Sequence, residues 1–218
     1  MNSKIKYVIG TGALLDYTVD AWREVEPDTD LRPLQLEQNA SYQFDLSMLD
    51  NLVAENVTAF VIFDAQFLNF RRYELMGELK ARGFKMPPLI CKGACVATSA
   101  KVGENTLISK GAIIDHHCQI GYNTVIGAGA NIGNGALIGH CVWTAAGVVI
   151  GKQVKINANV TLGYGVIISD HIEIGKLSVV DKPGKLSRNL PAKTFIYETF
   201  DEVITIVDMH PAATNGSP

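Results

Sequence analysis

Residues 108–133 read ISKGAIIDHHCQIGYNTVIGAGANIG, and an isoleucine stands at every sixth position of this stretch. The recurrence extends from Val96 to Val180, and 14 of its 15 positions are isoleucine, leucine or valine, with Thr144 as the exception. A second set of mostly small or aliphatic residues lies two positions before each member. A period of six fits neither an α-helix nor a hairpin strand. It is typical of a parallel β-helix in which these side chains point inward.

Three hexapeptides close one triangular coil, so residues 93–184 are predicted to form a β-helix domain of about five coils. Successive coils lie about 4.8 Å apart, which places residues separated by one coil above one another. Of the 20 glycines in the chain, 13 fall within residues 94–183, and eight of those directly follow the inward aliphatic residue. We therefore expect the glycines to form corners of the β-helix.

Residues 1–92 show a different pattern, an alternation of apolar strands and helices. Strands are predicted at 6–9, 32–36 and 59–64, and helices at 13–25, 45–55 and 70–82, the last ended by Gly83. This alternation predicts a small α/β unit with a Rossmann-like parallel sheet of three or four strands. We expect it to be the substrate-binding domain.

Gly10, Thr11 and Gly12 lie between the first predicted strand and the first predicted helix. A phosphate can bind at such a position, because the amide groups of a helix N-terminus point toward it. The full GxGxxG motif is absent, since its sixth position is Leu15. The turn is therefore a candidate substrate-binding element, and a plain tight turn explains its glycines equally well.

The composition excludes some classes of partner. A formal charge of −3 and a pI near 5.9 give no basic footprint for nucleic acid or an anionic membrane. No basic-then-apolar leader and no apolar run of about 18 residues is present, so we expect a cytoplasmic protein without membrane insertion. The four cysteines form no CxxC pair and are expected to be reduced. Residues 185–218 are assigned to a C-terminal extension and tail.

The corner sequence Asp115-His116-His117-Cys118 departs from the small and polar residues at equivalent positions. A solvated turn is the plain alternative, but two adjacent imidazoles favour chemistry. His116 is the candidate general base, because an imidazole titrates near neutral pH. We expect Asp115 to orient its ring, and His117 is a further catalytic candidate. Cys118 lies in the inward register, so it should be dispensable.

Two residues one coil above this motif complete the candidate site. Asn134 is 18 residues after His116 and follows Gly133. A thioester lying along this face would meet the imidazole at one end and backbone N–H groups near Gly133 and Asn134 at its carbonyl. These amides are therefore expected to stabilise the oxyanion of an acyl transfer and to contact the cofactor.

The hexapeptide array, the N-terminal α/β unit, the DHHC run and the late LPAK segment at 190–193 together resemble bacterial sugar N-acetyltransferases. These are left-handed β-helix enzymes with sialic-acid O-acetyltransferase-like relatives, and the resemblance covers residues 4–195. It implies transfer of an acetyl group from acetyl-CoA to an amino group of a nucleotide-linked amino sugar. It also implies a homotrimer with active sites between neighbouring β-helices, and no metal.

Carried over by position, the resemblance makes His116 the catalytic base. Members of the family commonly have an acid after this histidine, where this chain has His117, and a second histidine nine residues on, where it has Val125. The coenzyme-lining positions of the family fall on Ala146 and Tyr164, which are 18 residues apart and form one column.

Lys193, in the Pro-Ala-Lys segment, is the candidate partner of a coenzyme phosphate. The N-terminal turn departs from relatives that bind a nucleotide, which often have a histidine after the glycines, whereas Gly12 is followed by Ala13 and Leu14. The nucleotide part of the acceptor is therefore the less secure inference. An acceptor without a nucleotide remains open.

Two alternatives to this function stay open at the level of sequence. A zinc-dependent carbonic anhydrase on the same β-helix needs three convergent histidines, and this chain offers His116, His117, His140 and His171 without a closely spaced second pair. A trimeric scaffold that has lost catalysis is the non-enzymatic alternative, since the second family histidine is absent.

Overall fold

The computed structural model describes residues 4–200 and 202–206. The N-terminal domain is a three-stranded parallel sheet in the order β2–β1–β3 with two helices. Its elements are β1 (Ile5–Gly10), α1 (Gly12–Val25), β2 (Asp30–Gln35), β3 (Val57–Ile62) and α2 (Phe70–Ala81). The three predicted strands and the first and last predicted helices are thus confirmed, and Gly83 follows α2 with a φ of 86°.

The helix predicted at 45–55 was wrong, because only a short 3₁₀ helix, Ser47–Leu49, forms there. The capping part of the prediction holds, since the Asp45 carboxylate accepts a hydrogen bond from the Ser47 amide. Leu49 is fully buried, whereas Val53 is 66% exposed, so the segment has no continuous apolar stripe to pack. A helix this short needs such packing to persist.

The rest of the chain forms a parallel β-helix with three flat faces. The first face contains β4 (Leu89–Ile90), β7 (Leu107–Ile108), β10 (Val125–Ile126), β13 (Trp143–Thr144), β16 (Thr161–Leu162), β19 (Val179–Asp181) and β21 (Thr194–Tyr197), with β22 (Ile204–Thr205) antiparallel at its end. The second face contains β5 (Cys95–Val96), β8 (Ile113–Ile114), β11 (Asn131–Ile132), β14 (Val149–Ile150), β17 (Val166–Ile168) and β20 (Gly184–Leu186). The third face contains β6 (Lys101–Val102), β9 (Gln119–Ile120), β12 (Leu137–Ile138), β15 (Lys155–Ile156) and β18 (Glu173–Ile174).

Every strand pairs with the strand one coil away in the register that the repeat predicts. Ile114 lies beside Ile132, and Ile132 lies beside Ile150. From residue 108 onward the aliphatic positions of the repeat are buried in one continuous core. Thr144, the exception in the repeat, is also buried, and its hydroxyl accepts a hydrogen bond from the Gly127 amide at 3.0 Å. The hexapeptide prediction is confirmed.

The β-ladder is longer than the 93–184 range predicted for it. β4 is already its first rung on the first face, and β21 is still paired in parallel with β19. The domain boundary therefore lies before Leu89, and part of the predicted C-terminal extension belongs to the β-helix. The predicted strand or helix at 200–209 is represented by β22, and the tail predicted at 212–218 lies outside the described residues.

The corners of the β-helix are named here by the faces they join. The first corner joins the first and second faces, the second corner joins the second and third, and the third corner joins the third and first. The N-terminal domain covers the lower part of the first face, where Leu107 and Val125 pack with Leu15 and Trp22 of α1 in one buried cluster.

A buried polar network fixes the N-terminal domain to the third corner. Arg72 of α2 donates from Nε to Asn123 Oδ1 at 3.2 Å and from Nη2 to Asn123 O at 2.8 Å, and its Nη1 reaches Phe63 O at 3.2 Å. One coil below, the Asn105 side chain accepts from Val61 N at 2.7 Å and donates to Val61 O at 3.1 Å. Burial lowers the pKa of Arg72 to about 10, so the guanidinium stays charged at neutral pH.

We predict that Arg72→Met lowers the free energy of unfolding by about 2–4 kcal/mol. The substitution leaves the buried Asn123 and Phe63 carbonyl oxygens without a donor, and each such loss costs roughly 1–3 kcal/mol. The control is Arg23→Met, which removes an exposed i,i+3 pair with Asp20 and is expected to change stability by less than about 0.5 kcal/mol. Urea unfolding of both variants measures the difference, and equal effects would contradict the role given to Arg72.

Candidate active site

His116 lies on the second corner, directly after β8. Its backbone carbonyl is held from the coil above by Gly135 N at 2.9 Å and by Asn134 Nδ2 at 3.0 Å. Its ring is held from the coil below, where Ser99 Oγ lies 3.0 Å from Nδ1. The adjacent coils therefore fix both the backbone and the ring, while Nε2 stays available for chemistry.

Asp115 does not contact the ring as the sequence predicted. Its Oδ1 accepts a hydrogen bond from the backbone amide of His116 at 2.7 Å, which is a local turn contact. The partner of the ring is instead Ser99, which sequence reasoning missed. The signal for it is the repeat itself, because a residue 17 positions before the histidine must lie one coil below and one place along.

His117 takes part in the site through its backbone. It adopts a left-handed conformation with φ of 61°, a region that histidine enters more readily than most residues. Its amide donates to Ser99 Oγ at 3.0 Å. The rings of His116 and His117 are 6.1 Å apart between centroids, so the second imidazole does not orient the first.

Cys118 points into the core, as its register predicted. It is fully buried, and its thiol lies 3.2 Å from the carbonyl oxygen of Gly133. Burial raises the pKa of this thiol, which disfavours the thiolate that a nucleophile requires. The environment therefore matches a structural side chain.

The two predicted oxyanion donors have different positions in the ladder. The Gly133 amide is used by the β-helix itself, because it donates to Ile150 O at 2.8 Å. The Asn134 amide has no hydrogen-bond partner within residues 4–200 and 202–206. Of the two, Asn134 is therefore the amide that a ligand beside His116 can use.

The remaining predicted cofactor residues lie on other corners of the same β-helix. Ala146 and Tyr164 form a column on the first corner, because Trp143 pairs with Thr161 and the residues that follow stay in register. Tyr164 is 70% exposed. Lys193 lies on the third corner, where its amide donates to Lys176 O at 2.8 Å. One β-helix alone cannot bring these residues together with His116.

A basic groove at the C-terminal end of the β-helix was not predicted. Lys182, Lys185 and Arg188 line a cavity of about 420 Å³ together with Phe200 and the single acid Glu202. Lys182 follows Tyr164 along the first corner by 18 positions. The sequence signal was a run of cations at the point where the hexapeptide pattern ends.

The predicted turn at Gly10–Gly12 lies at the carboxyl end of β1. Thr11 is the N-cap of α1 in an extended conformation, and its side chain makes no capping hydrogen bond. The first turn of α1 has no acidic residue, so its amide groups face a site without a competing negative charge. Gly10 also has a structural role, because a Cβ at this position would collide with the Ile62 carbonyl oxygen of β3.

No group of three or more His, Cys, Asp or Glu side chains that could hold a metal ion occurs within the described part of the chain. His140 lies on the third corner, stacked on Tyr122 at 4.8 Å between ring centroids, and so away from His116. Within the same residues, no helix is both long and apolar enough to cross a bilayer.

The repeat itself is matched by a known family. Residues 99–134, which include the whole His116 corner, match the family described as bacterial transferase hexapeptide (six repeats). These coils are transferase hexapeptide repeats. No curated protein sequence matches the chain at a significant level.

Solved structures share the complete architecture. A mutant perosamine N-acetyltransferase from Caulobacter crescentus, in complex with CoA and GDP-perosamine, is 20% identical with a TM-score of 0.76, covering 91% of this chain and 96% of that one. WeeI from Acinetobacter baumannii AYE is 16% identical with a TM-score of 0.76 and coverages of 92% and 100%. The acetyltransferase domain of PglB from Neisseria gonorrhoeae FA1090, in complex with acetyl coenzyme A, is 18% identical with a TM-score of 0.59, over 89% and 96% of the two chains.

At these identities the likeness shows the fold: a small α/β domain followed by a β-helix. The resemblance to sugar N-acetyltransferases is confirmed for the hexapeptide repeat and for this architecture. The further likeness to sialic-acid O-acetyltransferases stays a prediction.

We predict that Gly10→Ala destabilises the protein more than Gly12→Ala. The first substitution forces β1 away from β3, and overpacking of this kind costs about 1–3 kcal/mol or more. Gly12 has a φ of 51° and open space within 4 Å of where a Cβ would stand, so alanine there meets only backbone strain of about 1 kcal/mol. Thermal and urea unfolding of both variants test this order, and a larger loss for Gly12→Ala would contradict the packing role of Gly10.

Proposed function

We propose that the protein transfers an acetyl group from acetyl-CoA to the amino group of an amino sugar. The observation that carries the proposal is the His116 corner. An imidazole with an open Nε2 is fixed beside an unpaired backbone amide, on a β-helix of transferase hexapeptides. Support comes from the solved structures of the same architecture, which are complexes with CoA and GDP-perosamine or with acetyl coenzyme A. We place the reaction in the cytoplasm, where thiols stay reduced.

The proposed mechanism is direct attack without an acyl-enzyme. The acceptor nitrogen forms a bond to the thioester carbonyl carbon, and His116 Nε2 removes the proton that this nitrogen loses. The Asn134 amide donates to the carbonyl oxygen as it becomes negative. The C–S bond then breaks, and the proton held by His116 passes to the leaving sulfur, so that CoA departs as the thiol. Asp115 fixes the turn that carries His116, and His117 contributes its amide.

We further propose a homotrimer that packs through the second face. The first face is partly covered by the N-terminal domain, and the third face presents charged side chains such as Lys155 and Glu173. The second face presents Ile113, Val149 and Ile167, which are 47%, 38% and 41% exposed. A stripe of this kind on a low-charge surface is typical of a buried interface.

This packing explains why the predicted site residues lie on different corners. The second face is bordered by the first corner on one side and by the second corner on the other. When three second faces meet around one axis, the first corner of each subunit lies beside the second corner of its neighbour. His116 of one subunit would then face the Ala146 and Tyr164 column of the next, with the coenzyme between them.

We assign the coenzyme phosphates to the basic groove. Lys182 extends the Ala146–Tyr164 column toward Lys185 and Arg188, and these cations match the negative charge of CoA. The ring of Phe200 in the same groove provides an apolar surface for a base. Lys193 stands on the third corner and is a second candidate for the same contact.

We assign the acceptor to the N-terminal domain, at the carboxyl end of its sheet. Ligands of parallel α/β sheets bind at this edge. The uncapped N-terminus of α1 behind Gly10, Thr11 and Gly12 suits a phosphate group, which supports a nucleotide-linked amino sugar. An O-acetyl acceptor would use the same His116 chemistry, with a hydroxyl oxygen as the nucleophile.

We predict that His116→Ala lowers acetyl transfer by about 10²–10⁴-fold, the usual contribution of a positioned general base. Thiol release from acetyl-CoA is measured with UDP-, dTDP- and GDP-linked amino sugars. Cys118→Ala is the control and should retain activity within about threefold, because Ala112 and Ala136 occupy the same buried inward position in other coils. Turnover that survives His116→Ala, or is abolished in a folded Cys118→Ala protein, would refute the mechanism. No turnover with any acceptor would favour a non-catalytic scaffold.

We predict that the double variant Ile113→Asp, Val149→Asp dissociates the trimer and abolishes activity. Buried carboxylates in the proposed interface would lose their hydration without gaining partners. Leu137→Asp is the matched control, since Leu137 is 42% exposed on the third face, and it should remain trimeric and active. Light scattering gives the mass of each. A monomeric wild type, or equal dissociation by Leu137→Asp, would contradict the second-face interface.

A further inference from the structure

Ser99 is the one side chain within the described residues that hydrogen bonds to the ring of His116. Its Oγ lies 3.0 Å from Nδ1. The same oxygen accepts the His117 amide at 3.0 Å. Ser99 therefore joins the ring of one histidine to the backbone of the next, across the gap between two coils.

The contact with His117 restricts what the hydroxyl can do. A serine hydroxyl has one hydrogen and two acceptor lone pairs. A backbone amide only donates, so the bond from His117 occupies one lone pair. The second lone pair can accept Nδ1–H of His116, which leaves Nε2 without a proton. If the serine hydrogen pointed at Nδ1 instead, Nε2 would carry the proton and could not act as a base.

We propose that Ser99 is the positioning residue of this site, whose hydroxyl oxygen accepts Nδ1–H and keeps Nε2 of His116 free to take a proton. This inference rests on the proposed function for its catalytic meaning. The neutral hydroxyl takes the orienting position in which an acid would otherwise stand beside a catalytic histidine. The left-handed backbone at His117 is part of the device, because that residue supplies the amide that holds Ser99.

The tautomer can be measured without any assay of acetyl transfer. Histidine ring nitrogens are labelled with ¹⁵N in the full-length protein, and long-range ¹H–¹⁵N correlation at a pH where the ring is neutral shows which nitrogen carries the proton. The chain has five histidines, so the His116 signals are identified by their absence in His116→Gln. We expect Nδ1–H in the wild type, a mixture with Nε2–H in Ser99→Ala, and Nδ1–H again in Ser99→Thr.

The kinetic test uses the same variants. Ser99→Ala should lower kcat by about 10- to 100-fold, as loss of orientation does, with little change in KM for acetyl-CoA. Ser99→Thr should recover most of kcat. Ser99→Asp should move the acidic limb of the kcat profile to higher pH, because a carboxylate favours the protonated ring. Thr98→Ala, which removes a neighbouring hydroxyl that has no hydrogen bond to the ring, is the control and should behave as wild type.

The outcomes separate this proposal from the proposed function. An Nε2–H wild-type ring, or an unchanged tautomer and kcat in Ser99→Ala, would overturn the role of Ser99. A lower unfolding temperature in Ser99→Ala without a tautomer change would make the residue merely structural, which also overturns the proposal. If the tautomer responds as expected but no acceptor is acetylated, Ser99 positions the ring and the acetyltransferase function fails.

Discussion

The stacking of one coil on the next is the constraint on which the rest of the molecule depends. Each coil must place an aliphatic side chain inward at the end of each face, and it must pair its backbone with the coil above and the coil below. Ile114, Ile132 and Ile150 show this on the second face, where they are buried and paired in one row. The side chain at any corner is thereby placed within a fraction of an ångström relative to its column. The His116 site is assembled by this geometry, since Ser99 and Asn134 reach it from the coils below and above.

The same stacking limits the corners to residues that tolerate an unusual backbone. The corner position before the inward small residue takes a positive φ in coil after coil, and the side chains there include Asn123, Cys141 and His117 as well as glycine. On the third corner these residues hold the N-terminal domain through Arg72. On the second corner His117 directs its amide at Ser99. A conformational requirement of the fold is thus used for two different contacts, one between domains and one inside the candidate site.

The repeat could be predicted because it is local and repeated: period six appears in the sequence, and one residue type per position is enough to find it. The burial of Cys118 and the proximity of Asn134 to His116 follow from counting by six and by 18. The role of Asp115 could not be found this way, because counting gives the column of a residue but not the rotamer that its side chain adopts. Asp115 turned to the nearest backbone amide, and the ring found Ser99 from the coil below. The 45–55 helix failed for a related reason, since its fate depended on which side chains the neighbouring sheet could bury.

The position of Val125 shows how the two domains constrain each other's chemistry. The resemblance places a cofactor-binding histidine there, but in this chain the side chain is 5% exposed and packs in the cluster that contains Leu15 and Trp22. An imidazole at this position would lose hydration in an apolar contact and would disturb the docking of α1. The coenzyme must therefore be held by groups that the first face does not cover, and the column from Ala146 to Lys182 on the first corner meets that condition. The N-terminal domain thus does more than carry the acceptor: by covering the first face it restricts the coenzyme to the edges of the second face, where a neighbouring subunit can reach it.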